Sequence, residues 1–513
     1  MEFKNHIKKH KGSYLVILLW LIITLPNLSK PFHIDDTFHL EAAQHIINNP
    51  THPMSGEINW GGETKPIHQF NQPPLFFYCI SATIYCFGPR ELPLHLMLSL
   101  FTFLSLYFFR KILLLKKIKE VNFALLVFAL CPALILNQNL MVDVPLLSMV
   151  LASVFFFLKQ DKTYKNILFS FLFLSTALLI KYSALPVLAA FVIYIIVNKN
   201  YKHLLFLSIP VFTLALWSIW NYAEYGGIHL LSRSHSSFDF NNIAVFLSCI
   251  GAVFFVLIFN KNKNNLIYIS TLTGAFLSIY ILSLIQFITI ETTDLLMNIV
   301  FLVNGLIILV RLFYTHLRSN DKWNDLSFIL LICISLFIIL FAPFIATRHI
   351  LLIIPFILIL TFQHTTNLQL KSKIAFALIT SLISSSLVID DWKYANYYKT
   401  EAQSIPTEYN GKIWTIGHWG WQWYSRQNGM KVYDLENSMV KNGDLLIFPG
   451  DIAKQPFDEN IKIELLEKRF SIEKPLLLIS GRKHASFYNS FINRPPWTFS
   501  RQPFDTIYVY KVQ

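Results

Sequence analysis

The sequence predicts a polytopic α-helical membrane protein with about thirteen transmembrane helices, followed by a small extracytoplasmic α/β domain. Three observations carry this. Hydrophobic residues make up 54% of the 513 residues and charged residues 14%, where soluble domains carry about 25% charged. Apolar runs recur from Ser13 to Val388. From residue 390 the composition changes: the last 124 residues hold 30 charges, the preceding 389 only 43. A soluble enzyme, a disordered chain, a disulfide scaffold and a single-anchor protein are excluded. The chain divides into a membrane part, 1–389, and a soluble extracytoplasmic α/β part, 390–513.

The net charge of +13 calls for no nucleic acid, because Lys and Arg gather at the cytoplasmic ends of membrane helices. Cys79, Cys86, Cys131, Cys249 and Cys333 all lie in apolar runs, and no CxxC occurs, so neither zinc nor a disulfide framework is indicated. No Gly-rich phosphate loop occurs, which argues against a pump of the P-loop type.

The elements follow from charge alternation. The run Tyr14–Leu25 follows Lys4, Lys8, Lys9 and Lys11 without a small-residue cleavage site, so it reads as a retained helix with a cytoplasmic N-terminus. Residues 31–73 are then outside. They hold Asp35, Asp36, Glu41, Glu57 and Glu63 against one cation, Lys65. Residues 73–88 are shorter than the ~20 a bilayer needs. Were they to cross, 91–109 would deliver Arg110, Lys111, Lys116, Lys117 and Lys119 outside. They therefore read as an interfacial helix within an extracytoplasmic loop, 31–90, with Phe76, Phe77 and Tyr78 at the lipid boundary.

Further spans fall near 91–109, 121–138, 145–158, 166–180, 184–198, 203–221, 244–259, 265–289, 295–313, 326–344, 349–363 and 372–389. The cytoplasmic loops then hold Lys159, Lys162, Lys165, Lys199, Lys202, Lys261, Lys263, Arg311, Arg318, Lys322, Lys371 and Lys373. The tail reads as strands at Lys412–Ile416, Asp444–Phe448, Pro475–Ile479 and Thr506–Val512 among looser segments.

This topology puts Asp35, Asp36, Asp143, Lys181 and Arg348 at one membrane face. Charges there are costly unless paired or used, so they suggest a cavity with an acidic and a cationic pole. A carboxylate can take a proton from an attacking hydroxyl, and Lys and Arg can hold a phosphate as it leaves. Each residue also has a plainer reading. Asp35 and Asp36 can open a solvated loop, Asp143 can cap the helix of Pro145, and Lys181 and Arg348 can snorkel at helix ends. The spacing of Asp35, Asp36 and His39 also admits a divalent metal. His33, His39, His45, His52 and His68 enrich the loop, where scattered His are most often solvated.

The order of motifs resembles a family, the membrane glycosyltransferases that use polyprenyl-phosphate sugars, including the protein O-mannosyltransferases and the lipid A aminoarabinose transferases. The acid pair after span one is HIDDTFHL at Asp35 and Asp36, with Asp36 where Glu is usual. The Pro-Pro helix is NQPPLFFYCI, with Gln72 where a basic residue often stands; Lys65 is a substitute. Arg-Leu-Pro is similar to PRELPLHL, Arg90–Pro93. The second outward acid is Asp143-Val-Pro, Leu-Thr-Lys-Gly is similar to LLIKYS at Lys181, and Arg-Tyr is similar to Arg348-His349. The tail segment GHWGWQWYSRQNGM resembles the extracytoplasmic domains of bacterial members.

The resemblance implies the thirteen-span GT-C fold in a bacterial inner (cytoplasmic) membrane. It also implies inverting transfer of a sugar from an undecaprenyl-type phosphate donor to a lipid, glycan or protein acceptor. Asp35 is expected as general base, with Asp36 and Asp143 also in the catalytic set. Lys181, Arg348, Lys65 and His39 are expected to contact substrate. No cofactor is required, and a divalent metal remains compatible. Alternatives are a polysaccharide polymerase or ligase, or a lipid or solute transporter. The latter calls for repeat symmetry and charges inside the spans.

Overall fold

The structure is a computed structural model. It describes residues 2–60, 62–70, 72–159, 164–232, 239–254, 263–318, 324–363, 365, 368–471, 477–479, 485, 487–488 and 494–513. Of the loop cations named above, Lys162, Lys261 and Lys322 lie outside these, as do the first two residues of the strand predicted at Pro475–Ile479.

Each predicted span overlaps an apolar helical segment, and residues 255–259 of the span predicted near 244–259 lie outside the described residues. The segments are α1 (Glu2–Thr24), α4 (Glu91–Leu115), α5 (Val121–Ala129) with α6 (Pro132–Ile135), α7 (Asp143–Leu158), α8 (Lys165–Ile180), α9 (Leu185–Val197) and α10 (Ser208–Tyr225, preceded by a 3₁₀ turn). Then follow α11 (Asn241–Val253), α12 (Lys263–Leu284), α13 (Ile290–Leu317), α14 (Leu326–Phe341), α15 (Thr347–Ile350) with α16 (Ile354–Gln363), and α17 (Leu370–Glu408). Among the described residues, four segments, Glu91–Leu115, Tyr201–Tyr225, Ile290–Leu317 and Leu370–Glu408, are long and apolar enough to cross a membrane.

The shorter ones have a physical reason. In α16, nine of ten residues are buried by protein, and a helix walled in by others need not reach both interfaces. The segment 121–138 breaks at Cys131–Pro132, because Pro132 cannot continue the ladder of α5. By contrast, α10 turns Phe212, Leu216, Ile219 and Tyr222 outward, a surface that suits lipid and not water. Two glycines let α11 and α13 cross backbone to backbone. A Cβ on Gly251 would lie 1.8 Å from the Phe301 carbonyl oxygen, and one on Gly305 2.0 Å from that of Leu247, the close packing that small residues give membrane helices.

Ion pairs mark one end of the bundle. Lys116, past the end of α4, bonds Asp325, before the start of α14, at 2.8 Å, and Lys373 near the start of α17 bonds Glu120 before α5 at 2.6 Å. At the other end lie α2 (Asp36–Asn48), the hairpin β1 (Glu57–Trp60) and β2 (Glu63–Pro66), and α3 (Leu75–Phe87). The position of α3 corrects one expectation. Phe76 and Phe77 are buried in protein and Tyr78 donates to the Pro50 carbonyl, while Tyr85 and Phe87 are exposed. The side of α3 that carries Phe76 and Phe77 packs on neighbouring helices instead of lipid; an apolar face alone does not distinguish the two.

Beyond residue 390, α17 continues unbroken to Glu408. At 39 residues it is about 58 Å long, roughly twice the hydrocarbon thickness. A five-stranded mixed sheet follows, in the order β4 (Lys431–Val432), β3 (Ile413–Thr415), β5 (Leu445–Pro449), β9 (Thr506–Val512), β6 (Ile463–Phe470). β3 is parallel to β4 and β5; β9 is antiparallel to β5 and β6. The helix α18 (Trp419–Gln427) connects β3 to β4. A separate pair, β7 (Leu477–Ile479) and β8 (Thr498–Ser500), carries Trp497 and Phe499 into the helices: Trp497 Nε1 donates to the Ala252 carbonyl at 3.1 Å and its ring lies 4.6 Å from Phe301.

Candidate active site

Asp35 stands just before α2, after a strained step. Ile34 has φ +50°, a conformation that costs a β-branched residue about 1–3 kcal/mol and must be held by its surroundings. The hold comes from both sides: the Phe32 amide donates to the Tyr424 hydroxyl at 2.8 Å, and the Asp36 side chain accepts from the His33 amide at 2.8 Å. Asp35, Phe38 and His39 then share a helix face and line a cavity of about 590 Å³.

Its polar end also receives Asp143 from α7, Lys181 from the end of α8, Arg348 and His349 from α15, and Gln72. Arg348 Nη1 donates to Asp35 Oδ2 at 2.6 Å and lies 3.1 Å from the Met141 sulfur; Lys181 Nζ donates to Asp143 Oδ1 at 2.7 Å. Lys181 and Arg348 are both buried, so the snorkelling reading does not describe them. Arg348 Nε is buried without a hydrogen-bond partner. With five N–H groups on a guanidinium, Arg348 can receive an anion while still holding Asp35. Much of the remaining lining is apolar, with Ile334, Phe337, Ile338 and Phe341 of α14 and Leu230, Leu231 and Leu352. The cavity is thus amphipathic, combining a charged cluster with apolar walls suited to a hydrocarbon chain.

Other predicted residues fall elsewhere. Asp36 is fully buried behind Asp35 and does not line the cavity: one residue along a helix rotates the side chain about 100°. Burial pushes its carboxyl up to about 7, whereas burial pushes the His33 and His39 imidazoles down to about 4. Lys65 is on the hairpin, half-exposed and paired with Glu63 at 3.0 Å, away from the cavity. Arg90 is exposed and donates to the Phe87 carbonyl. Among the described residues no three His, Cys, Asp or Glu side chains converge as a metal would require.

Sequence reasoning missed the group beneath the site. Lys30, 1% exposed, pairs with Asp391, also 1% exposed, and donates to Asn139 Oδ1 at 2.6 Å. The Tyr488 hydroxyl donates to Asp391 at 2.7 Å, and His33 Nε2 lies 3.7 Å from it. This ties the end of α1, the segment before α7, the middle of α17 and the tail into one support for the Asp35 turn. Two signals were present: a cation just outside span one, against the charge rule, and VIDDW at the end of the last span.

The buried Asp36 carboxyl gives stability a pH dependence. Between about pH 4 and 7 the unfolded chain has released this proton and the folded protein keeps it, so stability falls as pH rises through that window and levels above it. An Asp36→Asn variant still offers an oxygen to the His33 amide and has no proton to lose. Relative to it, the wild type should lose roughly 2–4 kcal/mol from pH 4.5 to 7.5. Denaturant unfolding of both at the two pH values checks this; parallel profiles would refute it.

The helices thus enclose an amphipathic cavity that carries two cation–carboxylate pairs. The apo structure of ArnT from Cupriavidus metallidurans matches over 87% of this chain and 93% of its own, with 10% identity and a TM-score of 0.50. ArnT from the same organism bound to undecaprenyl phosphate matches over 86% and 92%, with 11% identity and a TM-score of 0.49. The archaeal oligosaccharyltransferase AglB from Archaeoglobus fulgidus, in complex with an inhibitory peptide and a dolichol-phosphate, matches over 85% and 66%, with 12% identity and a TM-score of 0.44. Residues 71–220 match the model of the dolichyl-phosphate-mannose-protein mannosyltransferase family. No curated protein matches the sequence significantly. The chain thus shares its fold with the apo ArnT structure, and residues 71–220 match a family of the kind the motif order resembles.

Proposed function

We propose that the protein transfers a sugar, with inversion, from a polyprenyl-phosphate donor to an acceptor hydroxyl or amine at the outer face of the cytoplasmic membrane. The observation that carries this is the contact between Asp35 and Arg348 in a cavity whose lining is otherwise largely apolar. Asp35 takes the acceptor proton as the acceptor atom bonds sugar C1. The C1–oxygen bond to phosphate breaks with its electron pair, and polyprenyl phosphate leaves into the field of Arg348 and Lys181. Asp143 holds Lys181. A single displacement inverts C1. The reaction as written uses protein groups alone.

Full-length protein in nanodiscs, given polyprenyl-phosphate sugars, should release polyprenyl phosphate when extracts of the cell envelope supply the acceptor. Mass spectrometry of surface glycans and lipids in a deletion strain should show a missing sugar. A strain that instead loses long glycan chains or a transported solute would favour a polymerase or a transporter.

In this reading thirteen helical segments cross the membrane within residues 1–389, α17 runs on out of it, and residues 390–513 form an extracytoplasmic domain. The ion pairs Lys116–Asp325 and Lys373–Glu120 support a common cytoplasmic end. Cysteines introduced at 48 and 513 should react with impermeant reagent in intact cells, and one at 116 should not. Labelling at 116 from outside would overturn the orientation.

A further inference from the structure

We propose that Trp60 and Trp419 form the wall on which the sugar of the donor lipid lies, so that the C-terminal segment completes the active site. The inference rests on the reading of Asp35, Lys181 and Arg348 given above and adds the place of the sugar.

Both tryptophans line the cavity that contains Asp35. One comes from the loop hairpin and the other from the start of α18, 359 positions later in the chain. They are fixed to each other's elements. Gln422 of α18 donates to the Asn59 carbonyl at 3.2 Å, Asn59 donates to the Tyr433 carbonyl at 3.3 Å, and Thr64 of the hairpin donates to Asp434 at 2.6 Å. The Trp60 ring is backed by His418 at 5.1 Å and by Phe38 at 6.1 Å. It is held rigidly and still keeps accessible surface.

Trp419 has φ +62°, a strained conformation for a bulky residue that persists only when its surroundings impose it. The Thr37 hydroxyl donates to its carbonyl. The next residue, Gly420, lies so close to the Asp35 turn that a Cβ would come within 2.2 Å of the Phe32 carbonyl oxygen. Strain and close approach together press an aromatic residue of the tail against the turn that carries the proposed base.

The chemistry of this wall fits a saccharide. The C–H face of a pyranose packs on aromatic rings while its hydroxyls seek hydrogen bonds, and rigid aromatic area costs little entropy to use. His39 supplies a polar partner: it lines the cavity, is 3% exposed, and its Nδ1 is buried without a partner. The order of parts is also right. Arg348 contacts one side of Asp35, whereas Phe38 and His39 follow it on the same helix face and lead to Trp60. With the phosphate at the cations, C1 lies beside Asp35 and the ring extends toward the tryptophans.

The test uses full-length protein in nanodiscs with four probes: undecaprenyl phosphate and its mannosyl, glucosyl and galactosyl esters. Wild type should bind at least one sugar ester about tenfold more tightly than the bare lipid. Trp60→Ala and Trp419→Leu should bring that ratio near one with bare-lipid affinity unchanged, and Trp60→Phe should keep most of it. Unchanged bare-lipid binding also reports that each variant is folded. A ratio unaltered in both variants, or no preference for any ester in a wild type that binds the bare lipid, overturns the inference. Failure to bind the bare lipid overturns the underlying reading instead.

Discussion

Asp35→Asn lowers the transfer rate by about 10²–10⁴-fold, the usual worth of a positioned general base, and leaves donor-lipid binding intact or stronger. The structure gives the reason for that asymmetry. Asp35 is 29% exposed in its side chain and accepts from Arg348 through Oδ2. Asparagine keeps the shape and still accepts from the guanidinium, yet it cannot take a proton. It also removes the negative charge that balances Arg348, so an incoming phosphate meets a cation with less competition. Catalysis and binding therefore move apart, which a general loss of folding would not produce. Single-turnover transfer and polyprenyl-phosphate affinity, measured on the same preparation, decide it. A loss below about tenfold would pass the role of base to Asp143, the other carboxylate that lines the cavity.

Charge alternation predicts Asp35, Asp143, Lys181 and Arg348 at one face, because cations at helix ends report the side of the membrane regardless of how the helices pack. The cavity brings these four together. What alternation could not resolve was direction within a turn. Asp36 is adjacent to Asp35 in sequence, and only the fold decides which carboxylate faces the cavity. Nor could hydropathy tell Phe76 and Phe77 against protein from Phe76 and Phe77 against lipid, since both surroundings are apolar. The Lys30–Asp391 pair joins residues 361 positions apart, and Trp419 and Tyr488 reach the cavity from a tail whose composition gave no sign of it. Such long-range partners leave only indirect traces in a single sequence, here a misplaced cation and an acid pair.

The phosphate grip carries the other large effect, and the structure alters how it must be measured. Lys181 and Arg348 lie 167 positions apart and each holds a carboxylate, Asp143 and Asp35 respectively. If both also bind the lipid phosphate, removing either loses a charge-assisted contact and should weaken polyprenyl-phosphate affinity about 10–100-fold. The double variant should lose less than the two effects combined, because both groups serve one anion. Their costs to folding differ. Lys181→Met strands Asp143, 7% exposed in its side chain, and an unpaired buried charge destabilises by roughly 3–5 kcal/mol. Arg348→Ala strands Asp35, which solvent reaches. The informative set is therefore Lys181→Met with Asp143→Asn, Arg348→Ala, and all three together, with unfolding midpoints recorded beside affinity. Neutralising Asp143 should restore stability but not lipid binding, which separates the structural duty of Lys181 from its duty to the phosphate. Wild-type affinity in the stabilised Lys181 variant and in Arg348→Ala would remove the cationic pole from the mechanism and leave the carboxylates to carry it alone.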